Sequence, residues 1–445
     1  MSRIQEKVTA SILSRIRARR KSASPMQGDQ PLRSPGVLAP AAIREASFSD
    51  FSAVAALKQR WGLHSDSFDN WERLWRRNPI LAHHERDRPI GWVLEAEGVV
   101  VGYLGNISLQ YRYGGRTLTA VTSHGLVVEP PYRASGLSLV AAFYRQRSVD
   151  LYLTTTAIPE VGRLAKAFKS DALPQADYET VLFWILKPYP FALAMMQKLE
   201  LKPGLARVGS ATASLAIGID KLLRRRWPTQ HSTLTVSEIG VNEIREDEFQ
   251  SLWMGKATED PRLFADRSPA VLRWHFDIPG DRGSTRVLCC RRKTELLGYA
   301  VVRHDPQPNG TRKSLVADIL AKQDDPEVLR ALMTAAYDEA KSAGSYILEV
   351  LGFPPNIRRV FLQWNPYSRK YPACPFYYKA ADPVLHKTLS DGMAWYATPF
   401  DGDTTLIRPS FSSSDPRLGG SAVHIKTTLN NVAADVNERV RSEVF

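Results

Sequence analysis

The sequence predicts an α/β protein in which one arrangement of strands and helices is laid down twice. Three observations carry this. Between Ile43 and Leu186, runs with strand-like alternation interchange with runs of helical period. From 236 to 400 the landmarks of that stretch return. Pro79 and Pro279 each follow a tryptophan-bearing segment (Trp71 and Trp75, then Trp274), and Gly102-Tyr103 recurs as Gly298-Tyr299. The offset, about 200 residues, is that of a domain duplication and far longer than a solenoid repeat. A chain of 445 residues has room for two or three such domains.

Residues 1–40 read as a basic, disordered segment. Ile4, Val8, Ile12 and Ile16 stand four apart, so Ile4–Arg20 has the pattern of a short amphipathic helix; Ser, Pro and Gly then dominate to Pro40. Residues 1–35 hold eight basic side chains against two acidic ones, within a chain of net charge +13. The functional alternative is contact of this segment with an anionic membrane surface.

The first unit spans 41–186. Ile43 opens it with a short strand. Ser49 or Asp50 caps a helix carrying Phe51, Val54, Leu57 and Trp61, and Gly62 closes it. A second helix carries Trp71, Leu74 and Trp75 and stops before Asn78-Pro79. Gly91–Glu97 and Val100–Gln110 form an antiparallel hairpin turning at Gly98. Leu118–Val128 is a buried strand. A helix follows, with Leu137, Val140, Phe143 and Tyr144 on one face. Asp150–Ala157 is a strand, Pro159–Lys169 a helix and Ala176–Leu186 a strand.

The stretch Leu126–Ser138 is where chemistry is expected. Pro130 and Pro131 cannot donate to a ladder, so the strand ends or splays there. The loop that follows meets a helix N-terminus, whose amides lack intrahelical partners and carry partial positive charge. Gly136 permits close approach of a ligand to the backbone, and Arg133 adds a fork for phosphate. Together these can hold a pyrophosphate. The structural alternative is a strand–loop–helix with an exposed arginine.

The pattern Leu126-x-Val128-x-Pro130-x-Tyr132-Arg133-x-x-Gly136-x-Ser138 resembles the acetyl-CoA-binding motif of the GNAT superfamily of N-acyltransferases, which ends in Gly or Ala where this chain has Ser138. The order of elements over 43–186 is also similar to that superfamily. The resemblance implies two GNAT-like domains in tandem, each a central, mostly antiparallel sheet flanked by helices. It implies that Leu126, Val127, Val128, Arg133, Ala134, Ser135, Gly136, Leu137 and Ser138 hold acetyl-CoA or another acyl-CoA, with pantetheine beside the splayed strand. A backbone N–H near Val128 would then face the thioester oxygen. The family often has an Asn and, seven residues later, a Tyr that acts as acid; Ile158 and Ala165 stand in those places here.

Direct attack by an amine needs a base. His124 is the first candidate, on the same strand and read as facing the same way as Leu126 and Val128, with an ordinary pKa suited to neutral pH. Glu129 is the reserve. A strand histidine can equally be structural.

Residues 187–235 connect the units. Phe191–Leu199 and Leu205–Leu223 are helical, and the second, rich in Gly, Ala and Ser, is expected to be a buried linker helix. Arg224-Arg225-Arg226 follows it. The second unit, 236–400, places a strand at Lys313–Leu320 and a helix at Pro326–Ser342, with Asp325 as cap and Gly344 as stop. Its Ala321-Lys322-Gln323-Asp324-Asp325 joint has no glycine and two acids, so it should not bind CoA. In the tail 401–445, Asp401-Gly402-Asp403 is read as an Asx-type turn rather than a metal site, and no metal is expected.

Cys289, Cys290 and Cys374 make neither a disulfide framework nor a zinc spacing, which fits a cytoplasmic location. No nucleic-acid-binding motif is present, the N-terminus has no apolar signal core, and no run of about 18 apolar residues occurs. The first functional reading is an acyl-CoA-dependent N-acyltransferase acting on a primary amine of a small molecule or amino sugar. A non-catalytic GNAT-fold binding or scaffold protein is the second, and an aminoacyl-tRNA-dependent transferase the third.

Overall fold

The structure, a computed structural model, describes residues 39–407 apart from 64, 82–87, 156, 199–202, 230–232, 282, 308 and 371–374. The helix expected within Ile4–Arg20, Cys374 and most of the expected tail lie outside the described residues.

The first half runs β1 (Ala42–Glu45), α1 (Phe51–Arg60), α2 (Phe68–Arg76), β2 (Gly91–Ala96), β3 (Val99–Tyr113), β4 (Arg116–Val128), α3 (Gly136–Tyr144), β5 (Leu151–Thr154), α4 (Pro159–Ala167), β6 (Asp171–Ala172) and β7 (Thr180–Ile185). Two connector helices follow, α5 (Pro188–Lys198) and α6 (Pro203–Leu223). The second half runs β8 (Thr235–Ile239), α7 (Glu246–Glu259), β9 (Phe264–Ala265), α8 (Pro269–Phe276), β10 (Thr285–Arg292), β11 (Glu295–Pro306), β12 (Arg312–Ala321), α9 (Pro326–Ser342), β13 (Ile347–Val350), α10 (Pro355–Leu362), β14 (Tyr367–Lys370), β15 (Tyr377–Ala380) and α11 (Pro383–Thr388).

Local chemistry sets many of these boundaries. The β2–β3 hairpin turns on Glu97 and Gly98, both at positive φ (51° and 75°), the pair that a tight right-twisted hairpin requires. Ser67 caps α2, its hydroxyl accepting from the Asn70 amide at 3.3 Å. Asp50 does not cap α1 with its side chain; the carboxylate instead accepts from the Ser47 amide (2.8 Å) and pairs with Arg44. Gly344, at φ 79°, ends the turn after α9.

Two mixed sheets result. The first has the order β1-β2-β3-β4-β5-β15-β6, with β9 added against β3; the second has the order β14-β7-β13-β12-β11-β10-β8. Only β4–β5 and β12–β13 pair in parallel, at equivalent places in the two halves. The halves exchange strands. β7, which chain order puts at the end of the first unit, lies between β14 and β13 of the second sheet. In return β15 lies between β5 and β6 of the first. A continuous core runs across both halves, from Trp71, Leu74 and Leu153 through Trp184 to Trp253, Leu320 and Trp395. Cys289 and Cys290 are buried free thiols in β10, and burial pushes both up to about 11.

The connector departs from expectation. Only one side of α6 is buried, through Ala206, Ser210, Ile217 and Asp220; Leu205, Val208, Leu215, Ile219, Leu222 and Leu223 face outward. Its small residues suggest close packing on every side, yet α5 covers just one of them. Among the described residues, no helix is long and apolar enough to cross a membrane.

Candidate active site

β4 pairs with β5 only at Ala120, Val121 and Thr122, and the two strands then part. A last link is made between the Ser123 and Thr154 hydroxyls, 2.9 Å apart. Below that point Gly125 adopts φ 65°, and the β3–β4 register shifts between Tyr103 and Gly105. This is a β-bulge, which turns the following residues over. Gly105 therefore faces His124, while Tyr103 faces Val127. The sequence-based parity is thus corrected: His124 shares its face with Tyr103 and Val127, not with Leu126 and Val128. Leu126 and Val128 pack on the opposite side, with Leu139 and Val140 of α3.

His124 is buried, and its Nδ1 lies 3.3 Å from Asp403 Oδ2. Thr155, just past the end of β5, fixes that carboxylate: its hydroxyl donates to Asp403 Oδ1 and accepts from the Asp403 amide at 3.1 Å. With Nδ1 committed to a carboxylate, Nε2 is left as the acceptor. It has no partner among the described residues, and neither does Thr122 Oγ1 on the same strand; Tyr103 Oη and Trp71 Nε1 interact with each other. Buried polar atoms without partners are uncommon, and two of them on one strand are what a polar ligand would satisfy. The Tyr103 hydroxyl reaches over Gly105, 2.6 Å from where a Cβ would stand, and burial raises its pKa. Lys58 of α1 is also buried on this face, its ammonium 3.1 Å from the place of a Gly125 Cβ; burial lowers its pKa.

Glu129, the reserve candidate, is engaged by α1 and its C-terminal end. Its carboxylate accepts from Arg60 Nε (3.0 Å), Arg60 Nη2 (2.8 Å) and Trp61 Nε1 (3.1 Å), and its amide donates to Val101 O at 2.8 Å. Glu129 instead pins α1 to the end of β4.

Past Glu129, a single 3-10 turn over Pro130–Tyr132 leads to α3. No side chain caps this helix: Ser135 makes no cap bond, and the Ser138 hydroxyl donates back to the Ser135 carbonyl at 2.7 Å. The Gly136, Leu137 and Ser138 amides make only long or 3-10-type bonds to residues three earlier (3.0–3.4 Å). Arg133, Ala134 and Leu137 are exposed. Gly136 has a different task from the one expected. A Cβ there would meet Val128 Cγ2 at 3.1 Å, so the glycine brings α3 close to β4 rather than opening the backbone to a ligand. An uncapped helix start beside an exposed arginine fits a pyrophosphate.

The second half has closed the equivalent place. Asp325 caps α9, accepting from the Glu327 amide at 2.8 Å. Asp324 is held by Lys256 (2.6 Å), Arg262 and Asn356 (2.7 Å). Protein groups already satisfy what a phosphate would need.

The Asp401-Gly402-Asp403 turn is the residue set that sequence reasoning placed least well. Asp403 reaches His124 in the first sheet. Asp401 accepts from the Ala265 amide of β9 (2.9 Å) and from Arg267 Nη2 (3.0 Å), and through Arg267 it is linked to the second sheet. Arg267 is fully buried and also holds Asp318 of β12 at 3.0 Å, to which Tyr299 donates. The two aspartates thus serve different partners, and no group of three or more metal-ligating side chains occurs among the described residues. The dipeptide spacing hints at a turn, but nothing local in the sequence marks Asp403 or Thr155 as partners of His124.

The sequence matches no known family model and no curated protein. The structure is similar to solved ones. A GCN5-related N-acetyltransferase from Anabaena variabilis superposes with a TM-score of 0.50 at 10% identity, over 77% of this chain and 73% of that one. A conserved protein from Enterococcus faecalis gives 0.50 at 8%, again over 77% and 73%. At such identities the likeness is one of fold. The chain shares the fold of these GNAT structures and has two mixed sheets.

Proposed function

We propose that the chain is an acyl-CoA-dependent N-acyltransferase whose first half carries the reaction. One observation carries the reading: the uncapped start of α3 with Arg133 follows a strand that parts from its neighbour at a buried His–Asp pair. Bound acyl-CoA would supply the thioester. Arg133 and the amides of 134–138 would hold its pyrophosphate, and the edge of β4 exposed by the splay would hold pantetheine.

His124 Nε2 accepts the proton of the attacking amine, a primary amine of a small molecule or amino sugar. Asp403 keeps the imidazole in the tautomer with Nδ1 protonated and favours the imidazolium that forms. A backbone N–H near Val128 faces the oxygen that gains charge. The Tyr103 hydroxyl, kept protonated by burial, is the proton donor left on this face, since Ala165 stands where the family often has its tyrosine.

The test is acetyl-CoA turnover against a panel of amines, with CoA affinity measured alongside. Turnover lost in His124→Ala with CoA binding retained is the expected result. No CoA binding by the intact chain would sink the proposal. The residue at Ala165 favours one second reading, a binding protein that retains the fold, which predicts CoA binding without turnover by any amine.

A further inference from the structure

α6 presents to solvent a face with no counterpart elsewhere among the described residues. Leu205, Val208, Leu215, Ile219, Leu222 and Leu223 are each between 45% and 70% exposed. Leu205, Val208, Thr212, Leu215, Ile219 and Leu222 follow the spacing 3, 4, 3, 4, 3, a straight stripe along the helix, and Leu223 extends its end. A helix of 21 residues is about 31 Å long. Six large apolar side chains so exposed make a patch of several hundred Å², on the order of the largest that ordinary monomers leave uncovered.

Basic residues bound the stripe. Arg207 lies at its start, and Arg224 and Arg225 at its end, whereas Lys221 turns inward, donating to the Ile185 carbonyl at 3.1 Å. The one acid of the helix, Asp220, is buried and turned inward, paired with Arg224 at 2.9 Å and Arg226 at 2.7 Å. Leu223, the last residue of the stripe, also lines a cleft of about 670 Å³ with Arg224, Arg225, Trp227 and Trp364. An apolar face thus runs directly into a cationic, tryptophan-lined cleft.

A second copy of the chain is a poor occupant. Any twofold pairing of α6 would set Arg207 and Arg225 against the same cations, with no exposed carboxylate on the helix to answer them. The positions flanking the stripe, Gly209, Ala211, Ala216 and Gly218, offer no interhelical ion pairs. An exposed apolar stripe bounded by Arg207 and Arg225 matches the interface of a bilayer whose headgroups are anionic.

We propose that α6 docks the protein on an anionic lipid surface. Its outer face enters the headgroup–acyl boundary, and the Arg224–Arg225 cleft faces lipid phosphate. Binding is peripheral, with the helix lying in the plane of the interface. This site is separate from the candidate active site.

The test is co-sedimentation of the full chain with phosphatidylcholine vesicles and with vesicles that also contain phosphatidylglycerol. Binding is expected to the second kind and to weaken with salt. Leu215→Glu with Leu222→Glu should lose about tenfold or more, and Arg225→Glu should lose severalfold on the anionic vesicles. Both sets of positions are exposed, and an unchanged circular dichroism melt checks the fold. Unaltered binding by the double variant would overturn the proposal, since the basic N-terminal residues would then carry it. So would absence of vesicle binding, or a dimer in sedimentation velocity that the double variant dissociates.

Discussion

His124 shows what a single residue's surroundings decide. The imidazole is buried, one nitrogen is tied to Asp403, and the other has no partner among the described residues. Asp403→Asn removes the charge that favours the imidazolium while keeping the side-chain shape. The expected outcome is a fall in kcat of about 10² or more, with CoA affinity unchanged; equal kcat in the variant would make the pair structural. At the phosphate loop the informative variant is Arg133→Glu rather than a change at Gly136. A side chain at 136 would crowd Val128 Cγ2, 3.1 Å from its Cβ, so lost binding there would not report cleanly on the ligand. Arg133 is exposed, and its reversal should weaken CoA about tenfold to a hundredfold by calorimetry while the melt stays put. Two other histidines bear on stability. His304 is brought down to about 4 by burial, then by Arg312 and Arg286, which outweigh its contact with Glu339 at 3.1 Å. Fully buried His275 is also lowered, by burial, Arg73 and Arg267. Both take up protons more readily when unfolded. Their contribution is complete above the ordinary histidine pKa of 6.5 and is lost as pH falls towards about 4. The melting temperature should therefore drop over that interval, less steeply in His304→Gln, and an identical slope in the variant would rule His304 out as a source.

At the scale of elements, periodicity and punctuation located the pieces well. The strand over Leu118–Val128, the Asp325 cap and the glycine stop after α9 depend on neighbours in the chain, and such signals are local. The facing of His124 was misread because alternation was carried through Gly125, and a positive φ leaves no trace in a hydrophobic pattern. The exchange of β7 and β15 was invisible for a related reason. Val181–Ile185 is apolar on both faces, which says that the strand is central but not which sheet receives it. The outward face of α6 was taken for a packing surface because small residues and leucines look alike whether a partner is another helix or lies outside the chain. The exchange makes a checkable demand. Tyr377 of β15 packs on Ala157 and Ala165, and its hydroxyl lies 2.6 Å from where a Gly162 Cβ would be. Gly162→Ala should therefore destabilise the protein by about 1–3 kcal/mol, through overpacking. Gly162→Ala combined with Tyr377→Leu should recover part of the loss in chemical denaturation. No coupling between the two sites would argue that β15 does not sit against α4.

On the scale of the whole molecule, duplication has produced asymmetry. The two halves share a core and a pair of exchanged strands, and Asp401-Gly402-Asp403 sends one carboxylate to each. Their loops before α3 and α9 have diverged in chemistry. In the first, the helix start is uncapped, Arg133 is exposed and carboxylates are absent from 130–138. In the second, Asp325 takes the amides, and Asp324 is locked between Lys256 and Arg262. A pyrophosphate brought to α9 would have to displace one carboxylate from a backbone donor and lie beside another. At effective dielectric constants of about 20, each such like-charge contact at about 4 Å costs about 4 kcal/mol. The second half therefore should not bind CoA. Calorimetry with CoA should give one site per chain. That site should vanish with Arg133→Glu and be indifferent to Asp325→Gly, which removes the cap without touching the first loop. A stoichiometry of two, or a second site appearing with unchanged affinity when Arg133 is reversed, would show that the acidic loop does not exclude the ligand and that the asymmetry lies elsewhere.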